Sequence, residues 1–395
     1  MLRFLTAGES HGRGLIGIIE GMPAGVQISE DFINYHLVRR MKGYGRGGRM
    51  AIETDSAEII SGVRGGYTLG SPISFMISNR DHSNWKEVMA AGAEAHTDER
   101  VVKRPRPGHA DLAGAIKYRH EDMRNVLERA SARETACRVA AGAFFRKMLE
   151  PFNIYIYSQV IAIGEISSVP AVVTQENLAE FLKLNEESPV RCNDKQNAEK
   201  MIKLIDSARE AGESLGGCFE VGALGVPPGL GSHVSWDRKL DADLAGLLMS
   251  IPAIKAVEIG DGIKNSQQPG SKVHDEIHYS ETTGIFRVTN HAGGTEGGIS
   301  NGETIWARAY MKPIPTLYKP LVSVNTSNWT EEKADIERSD VCAVPAAAVV
   351  GEAMLAFGIA RAMVNKFGGD SIEQMEQNYI SYCDYMKKVW RWERI

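Results

Sequence analysis

With 395 residues, 43% of them hydrophobic and 24% charged, the sequence has globular composition and enough length for a large core or for two to three ordinary domains. A formal net charge of -5 gives no global signature of nucleic-acid binding, and five cysteines, odd in number, far apart and never in a CxxC pair, argue against a disulfide framework or a zinc site and predict buried free thiols. The start, "MLRFLTAGESHG", soon turns polar and no uninterrupted apolar run approaches the roughly 20 residues that span a bilayer, so a cytoplasmic location without membrane contact is expected.

In chain order, the first informative stretch is "TAGESHGRG", residues 6 to 14, where Gly8, Gly12 and Gly14 predict a loop that lets a ligand approach the main chain and His11 is either a catalytic imidazole or a satisfied polar residue. Residues 29 to 42 predict a helix, with Ser29 as its cap and Glu30 and Asp31 at the positive end. "RRMKGYGRGGR", from Arg39 to Arg49, carries four arginines and a lysine without an acid, and "KRPRPGH", 103 to 109, adds three basic residues stiffened by prolines. Two basic loops in an acidic protein suggest a focused site for a small polyanion, although a solvated basic face gives the same pattern. At 131 to 134, Ser131 and Glu134 read as a capping box ahead of an Ala-rich helix, either an ordinary capped helix or one where Arg129, Arg133 and the helix N-terminus converge on a phosphate.

Further on, strand-like runs begin at 153, 216 and 302, helices are expected near 196 to 211, 237 to 250 and 345 to 366, and the polar stretch 170 to 200 reads as a surface excursion. The order is mixed α and β with no repeat and no clean linker, which disfavours a doubly wound or barrel fold. "GYGRGG" at 43 to 48 follows a helix where a dinucleotide fingerprint follows a strand, and GK[ST], GxSxG and HExxH are absent.

Eight blocks in series resemble the chorismate synthase family: "GESHG" at 8, "RRMKGYGRGGRM" at 39, "RPRPGHADL" at 104, "ERASARETA" at 128, "EIGDG" at 258, "HAGGTEGGISNG" at 291, "MKPIPT" at 311 and "ERSDVCAVPAA" at 337. The resemblance implies an α+β fold, a single β-α-β sandwich domain over residues 1–395, assembled as a homotetramer. It also implies conversion of 5-enolpyruvylshikimate 3-phosphate to chorismate and phosphate, an anti 1,4-elimination on the route to aromatic amino acids that needs reduced FMN (FMNH2) and no metal. His11 and His109 match the family's active-site histidines, one for the departing phosphate and one for the flavin, and Asp340 matches an acid that assists at the flavin. Arg40, Arg46, Arg49, Arg106, Arg133 and Arg338 match the arginines around the substrate. The flavin-binding stretches correspond to Arg129, Ala130, Ser131, Pro252, Ala253, Gly297, Lys312, Pro313, Ile314, Pro315 and Thr316, with Arg338 bordering both ligands. Pro252 departs from the polar residue common in the family and leaves only a carbonyl or a packing contact.

Two alternatives stay open on the sequence. One is a bifunctional enzyme that also reduces flavin with NADPH, which a chain close to the bare family core disfavours. The other is an anion- or RNA-binding protein, against which stand the net charge and the lack of aromatic residues interleaved with the arginines.

Overall fold

The computed structural model describes residues 1–47, 54–337 and 339–393. Two antiparallel sheets enclose a layer of helices. The first sheet holds β1 (Arg3–Gly8), β2 (Gly14–Glu20), β3 (Ala57–Ser61) and β4 (Ile73–Ser78) in the order β1-β2-β4-β3. The second holds β5 (Tyr155–Ile163), β6 (Ile166–Ser167), β7 (Gly217–Leu224), β8 (Ile254–Ile259) and β9 (Ile305–Met311) in the order β8-β9-β7-β5-β6.

The helices that matter for the site are α1 (Glu30–Met41), α2 (Asp111–Tyr118), α3 (Arg124–Ala130), α4 (Thr135–Leu149), α5 (Leu178–Glu187), α6 (Lys195–Glu210), α7 (Leu240–Met249), α8 (Val344–Phe367) and α9 (Ile372–Trp390). Period-two patterning turns Leu15, Ile19, Ile73, Phe75 and Ile77 of the first sheet inward, onto α4. Helix α8 lies between α4 and the second sheet. One apolar cluster takes residues from both sheets and from the helices between them.

Small residues set the spacing of these layers. A Cβ on Gly142 of α4 would lie 2.4 Å from that of Ala353 on α8, and one on Gly351 would lie 2.5 Å from the Phe219 ring of β7, so larger residues at either point would push the layers apart. At mean hydropathy 1.6, α8 is long and apolar enough to cross a membrane, but 83% of its most apolar window is buried inside the fold, where it serves as the central helix.

Expectations from the sequence meet this fold unevenly. Ser29 caps α1, its hydroxyl accepting from the Phe32 amide at 3.2 Å, and α6, α7 and α8 lie where helices are predicted. The capping box does not form. Ser131 instead opens a single 3-10 turn, Ala132–Glu134, and Glu134 turns to Arg138 and Thr6 because the main helix starts one residue later, at Thr135. Nor is 170–200 a surface excursion: Val173 and Phe181 pack with Tyr157 and Leu224, and Glu186 reaches in to Arg39. All five cysteines are buried free thiols.

Candidate active site

A cavity of about 500 Å³ opens where loops from both sheets meet the ends of α1, α3, α4 and α8, within the range usual for small-molecule sites. His11, His109, Asp340, Arg40, Arg46, Arg106 and Arg133 all line it, as do Ala130, Ser131, Pro252, Ala253, Lys312, Ile314, Pro315 and Thr316.

His11 is built from distant pieces. Gly8, at φ +100, turns the chain out of β1, and the His11 amide donates to Glu128 Oε2 at 2.8 Å. The ring Nδ1 lies 2.8 Å from Glu128 Oε1, and the ring stacks on Trp85 with centroids 4.1 Å apart. Burial pushes the Glu128 carboxyl upward, but the hydrogen bonds and charge of His11, with Arg124, outweigh it and hold the carboxyl below its ordinary value. An ionised Glu128 accepts from Nδ1–H, which fixes the tautomer and the plane of the ring.

His109 is built locally. Its Nδ1 lies 2.5 Å from Asp111 Oδ1 at the start of α2, and Arg106 grips the same carboxylate through Nε and Nη2 at 2.9 and 3.1 Å. Burial opposes ionisation of Asp111, yet the hydrogen bonds from His109 and Arg106 prevail and hold it well below the usual carboxylate range. Arg106 also donates to Thr316 at 3.0 Å, and Lys312 donates to the Gly108 carbonyl at 2.5 Å, so this histidine is tied to the 312–316 run.

The arginines do not form a bare positive cluster. Arg40 and Arg133 share the buried carboxylate of Asp55, Arg46 pairs with Asp340 at 3.1 Å, and Arg106 pairs with Asp111. Arg40 meets Asp55 only at 3.4 Å and gives its shorter bonds to Thr135 Oγ1 and the Ala132 carbonyl. Burial, with Arg46 and Arg133 nearby, pushes its guanidinium down to about 10, still charged at neutral pH. Asp340 accepts from the Gly47 amide at 2.7 Å, and the Val341 amide donates to the Gly45 carbonyl, so the 339–342 segment pins the arginine loop. Ala253 lies on the wall at φ +68, a left-handed backbone that alanine adopts only under constraint.

Three expected residues are not brought to the cavity. Arg129 crosses to β1 and donates to Thr6 and Gly8 carbonyls, so it does not converge with Arg133 on a phosphate. Gly297 lies in the hairpin of residues 295–300, against the start of α7, and Pro313 backs onto Gly216. Arg39 leaves the basic loop altogether and enters the interior. Arg49 and Arg338, with Gly48, lie outside the described residues. Sequence reasoning missed Glu128, Asp111, Trp85 and Asp55; Asp111, two residues from His109, could have been found from its spacing, and the others come from remote segments.

The family model described as chorismate synthase matches residues 2–364. A protein named chorismate synthase from Syntrophomonas wolfei is 63% identical over 395 residues, covering all of both chains, and one from Desulforamulus reducens is 55% identical over 98% of this chain and all of its own. A crystal structure titled as chorismate synthase superposes with a TM-score of 0.80 at 44% identity, covering 98% of this chain and 99% of its own. The sheet–helix–sheet architecture and the match along the whole sequence agree: this chain belongs to the chorismate synthase family.

Proposed function

We propose that the chain eliminates phosphate from 5-enolpyruvylshikimate 3-phosphate in this cavity, giving chorismate. The observation that carries the reading is that two imidazoles, each fixed by a buried carboxylate with its own arginine, line one cavity together with Arg40, Arg46 and Arg133. The substrate carries two carboxylates and a phosphate, and charge-assisted bonds to guanidinium groups suit all three.

The reaction breaks the bond from C3 to the phosphate oxygen, whose electron pair leaves with phosphate, while the C6 hydrogen leaves as a proton toward the flavin side and its bonding pair stays in the ring to complete the second double bond. His11, as the imidazolium with its Nδ1–H held by Glu128, gives its Nε2 proton to the departing phosphate and is left as the neutral Nδ1–H tautomer. His109 manages protonation on the flavin side, a placement supported by its links through Arg106 and Gly108 to Thr316 and Lys312. Asp340 belongs to the same side, its carboxylate held by Arg46 and the Gly47 amide. Arg40, Arg46, Arg106 and Arg133 surround the substrate; Arg49 and Arg338, outside the described residues, are assigned to it by the resemblance alone.

The wall fits a flavin mononucleotide. Ile251, Pro252, Ala253, Met311, Ile314, Pro315, Ala346, Ala347 and Val350 offer apolar surface to a flat ring, and Ser131, Lys312 and Thr316 offer donors to its polar edge. Reduced FMN, when bound, would lend electron density to the substrate and recover it, leaving no net redox change. We assign Arg129, Gly297 and Pro313 no direct contact within one chain. We further infer that residues 1–395 act as one domain in the cytoplasm, that the flavin arrives already reduced rather than through NADPH, and that four chains assemble. Supporting assembly, Leu5, Ile16 and Ile18 lie exposed on the outer face of the first sheet, Leu5 directly opposite Ile18.

An anaerobic assay with chemically reduced FMN tests the reading. Chorismate and phosphate in equal amounts are expected, and none is expected in air with oxidised FMN and NADPH. No product under reducing conditions would contradict the function, and product in both would reinstate a built-in reductase.

A further inference from the structure

Arg124, the arginine beside Glu128, is a three-way junction whose other two arms the chemistry above does not use. It opens α3, and each arm of its guanidinium reaches a different segment: Nε donates to the Arg100 carbonyl at 2.6 Å, Nη1 to Glu128 Oε1 at 3.2 Å and Nη2 to Glu337 Oε1 at 3.1 Å. The same guanidinium lies 4.9 Å from the centroid of Trp85, the ring on which His11 stacks. Both neighbours matter for the cavity. Glu128 holds the Nδ1 of His11, while Glu337 lines the cavity three residues before Asp340, which pins Arg46 and the Gly47 amide. One planar cation therefore joins the histidine's carboxylate to the segment that seats the arginine loop.

We propose that Arg124 is a positioning residue for the elimination, setting the orientation of the His11 ring through Glu128 in step with the placement of Glu337, whose neighbours Asp340 and Val341 seat the arginine loop. This rests on the reading of His11 as proton donor. A fork is needed for such a task. Its donors leave in fixed directions in one plane, so a shift of Glu337 turns the arm that bonds Glu128, whereas a lysine ammonium on its flexible stem meets one partner without constraining the other. The two arms are unequal. Arg124 and Glu128 are both buried, but Glu337 is 29% exposed, so the link to Glu337 is the weaker of the two.

The test compares wild type, Arg124→Lys, Arg124→Gln, Glu337→Gln and the double variant Arg124→Gln/Glu337→Gln. Nitrogen-15 spectra of the His11 ring in ligand-free protein report its tautomer, and anaerobic kinetics report kcat and KM separately. In its neutral form, the wild-type His11 ring is expected to show one tautomer, protonated at Nδ1, and that of Arg124→Gln a mixture, with kcat lower by roughly 10- to 100-fold, as for loss of an outer partner that orients a site histidine, and KM little changed. Arg124→Lys should fall between the two. Glu337→Gln should lower kcat by less, and its effect should vanish in the Arg124→Gln background, because a residue acting through Arg124 has nothing to act on there. An unchanged His11 tautomer in the Arg124 variants, or full additivity of the two substitutions, would overturn the proposal. If Arg124→Gln folds poorly, Arg124→Lys and Glu337→Gln decide it by the same spectra. Absence of turnover in wild type would contradict the function, not the positioning, which the ligand-free spectra decide alone.

Discussion

Arg39 and Arg40 are neighbours at the end of α1 and are equally buried, yet their surroundings differ. Arg39 forks onto Glu352 of α8 at 2.7 and 2.9 Å and also meets Glu186, alongside Arg146 and Arg191. Burial opposes its charge, but the two carboxylates prevail and raise its guanidinium above the ordinary value. Arg40 faces the cavity, has only a shared and longer contact with Asp55, and is pushed down to about 10. The first charge meets two carboxylates within the fold, whereas the second meets one, shared with Arg133, and is the one proposed to take a substrate anion. Burial alone therefore does not tell a structural arginine from one placed to meet a ligand; whether the guanidinium also lines the cavity does, as it does for Arg40 and not for Arg39.

The largest effects should fall on the Arg40 side. His11→Ala and His109→Ala are each expected to lower turnover by roughly 10²- to 10⁴-fold, the range for a general acid or base, with FMN binding retained, as steady-state rates and flavin titration would show. Wild-type turnover in either variant would erase the chemical half of the comparison.

On the Arg39 side the effect should be on stability. Glu352→Gln leaves three buried guanidinium groups without their shared charge and should cost about 3 to 5 kcal/mol, measured by denaturant unfolding. Burial pushes the Glu352 carboxyl upward, but Arg39, Arg146 and Arg191 outweigh it and hold it well below the usual range. Because that value is depressed on folding, its contribution is present above the unfolded value, about 4.3, and is lost as the pH falls below it.

A smaller, pH-dependent effect belongs to His36, whose Nδ1 faces Arg39 at 3.0 Å. Burial, then Arg146 and Arg39, push its imidazole down to about 2. The unfolded chain takes up a proton near pH 6.5 that the folded chain refuses, so stability falls as the pH drops, by about 2 kcal/mol between pH 6.5 and 4.5. His36→Gln should flatten that slope, and an unchanged slope would show that this pocket does not exclude the proton.

How much of this was legible in the sequence depended on separation along the chain. The His109 niche is written within six residues, since Arg106, His109 and Asp111 meet through one turn into α2. The His11 niche joins residues 117 apart and could not be assembled from local spacing. The family resemblance supplied the sandwich, because helix-period and strand-period patterns do not say which faces pack together. Local rules failed where tertiary contacts overrode them: Glu134 left its capping position for Arg138 and Thr6, and Arg129 was drawn to the carbonyls at the end of β1. The basic run 39–49 read as one cluster, but α1 ends inside it, and the turn of the helix sends Arg39 and Arg40 to different partners.

The most direct test is calorimetric binding of 5-enolpyruvylshikimate 3-phosphate, in the presence of FMN, to Arg40→Lys and Arg39→Lys side by side. Loss of the planar fork at Arg40 should weaken binding by roughly ten- to hundredfold, the equivalent of a charge-assisted bond of about 1.5 to 3 kcal/mol, with inorganic phosphate competing for the site. Arg39→Lys should lower stability and leave affinity unchanged. Equal affinities in the two variants, without competition by phosphate, would contradict the division between them and the placement of substrate in this cavity.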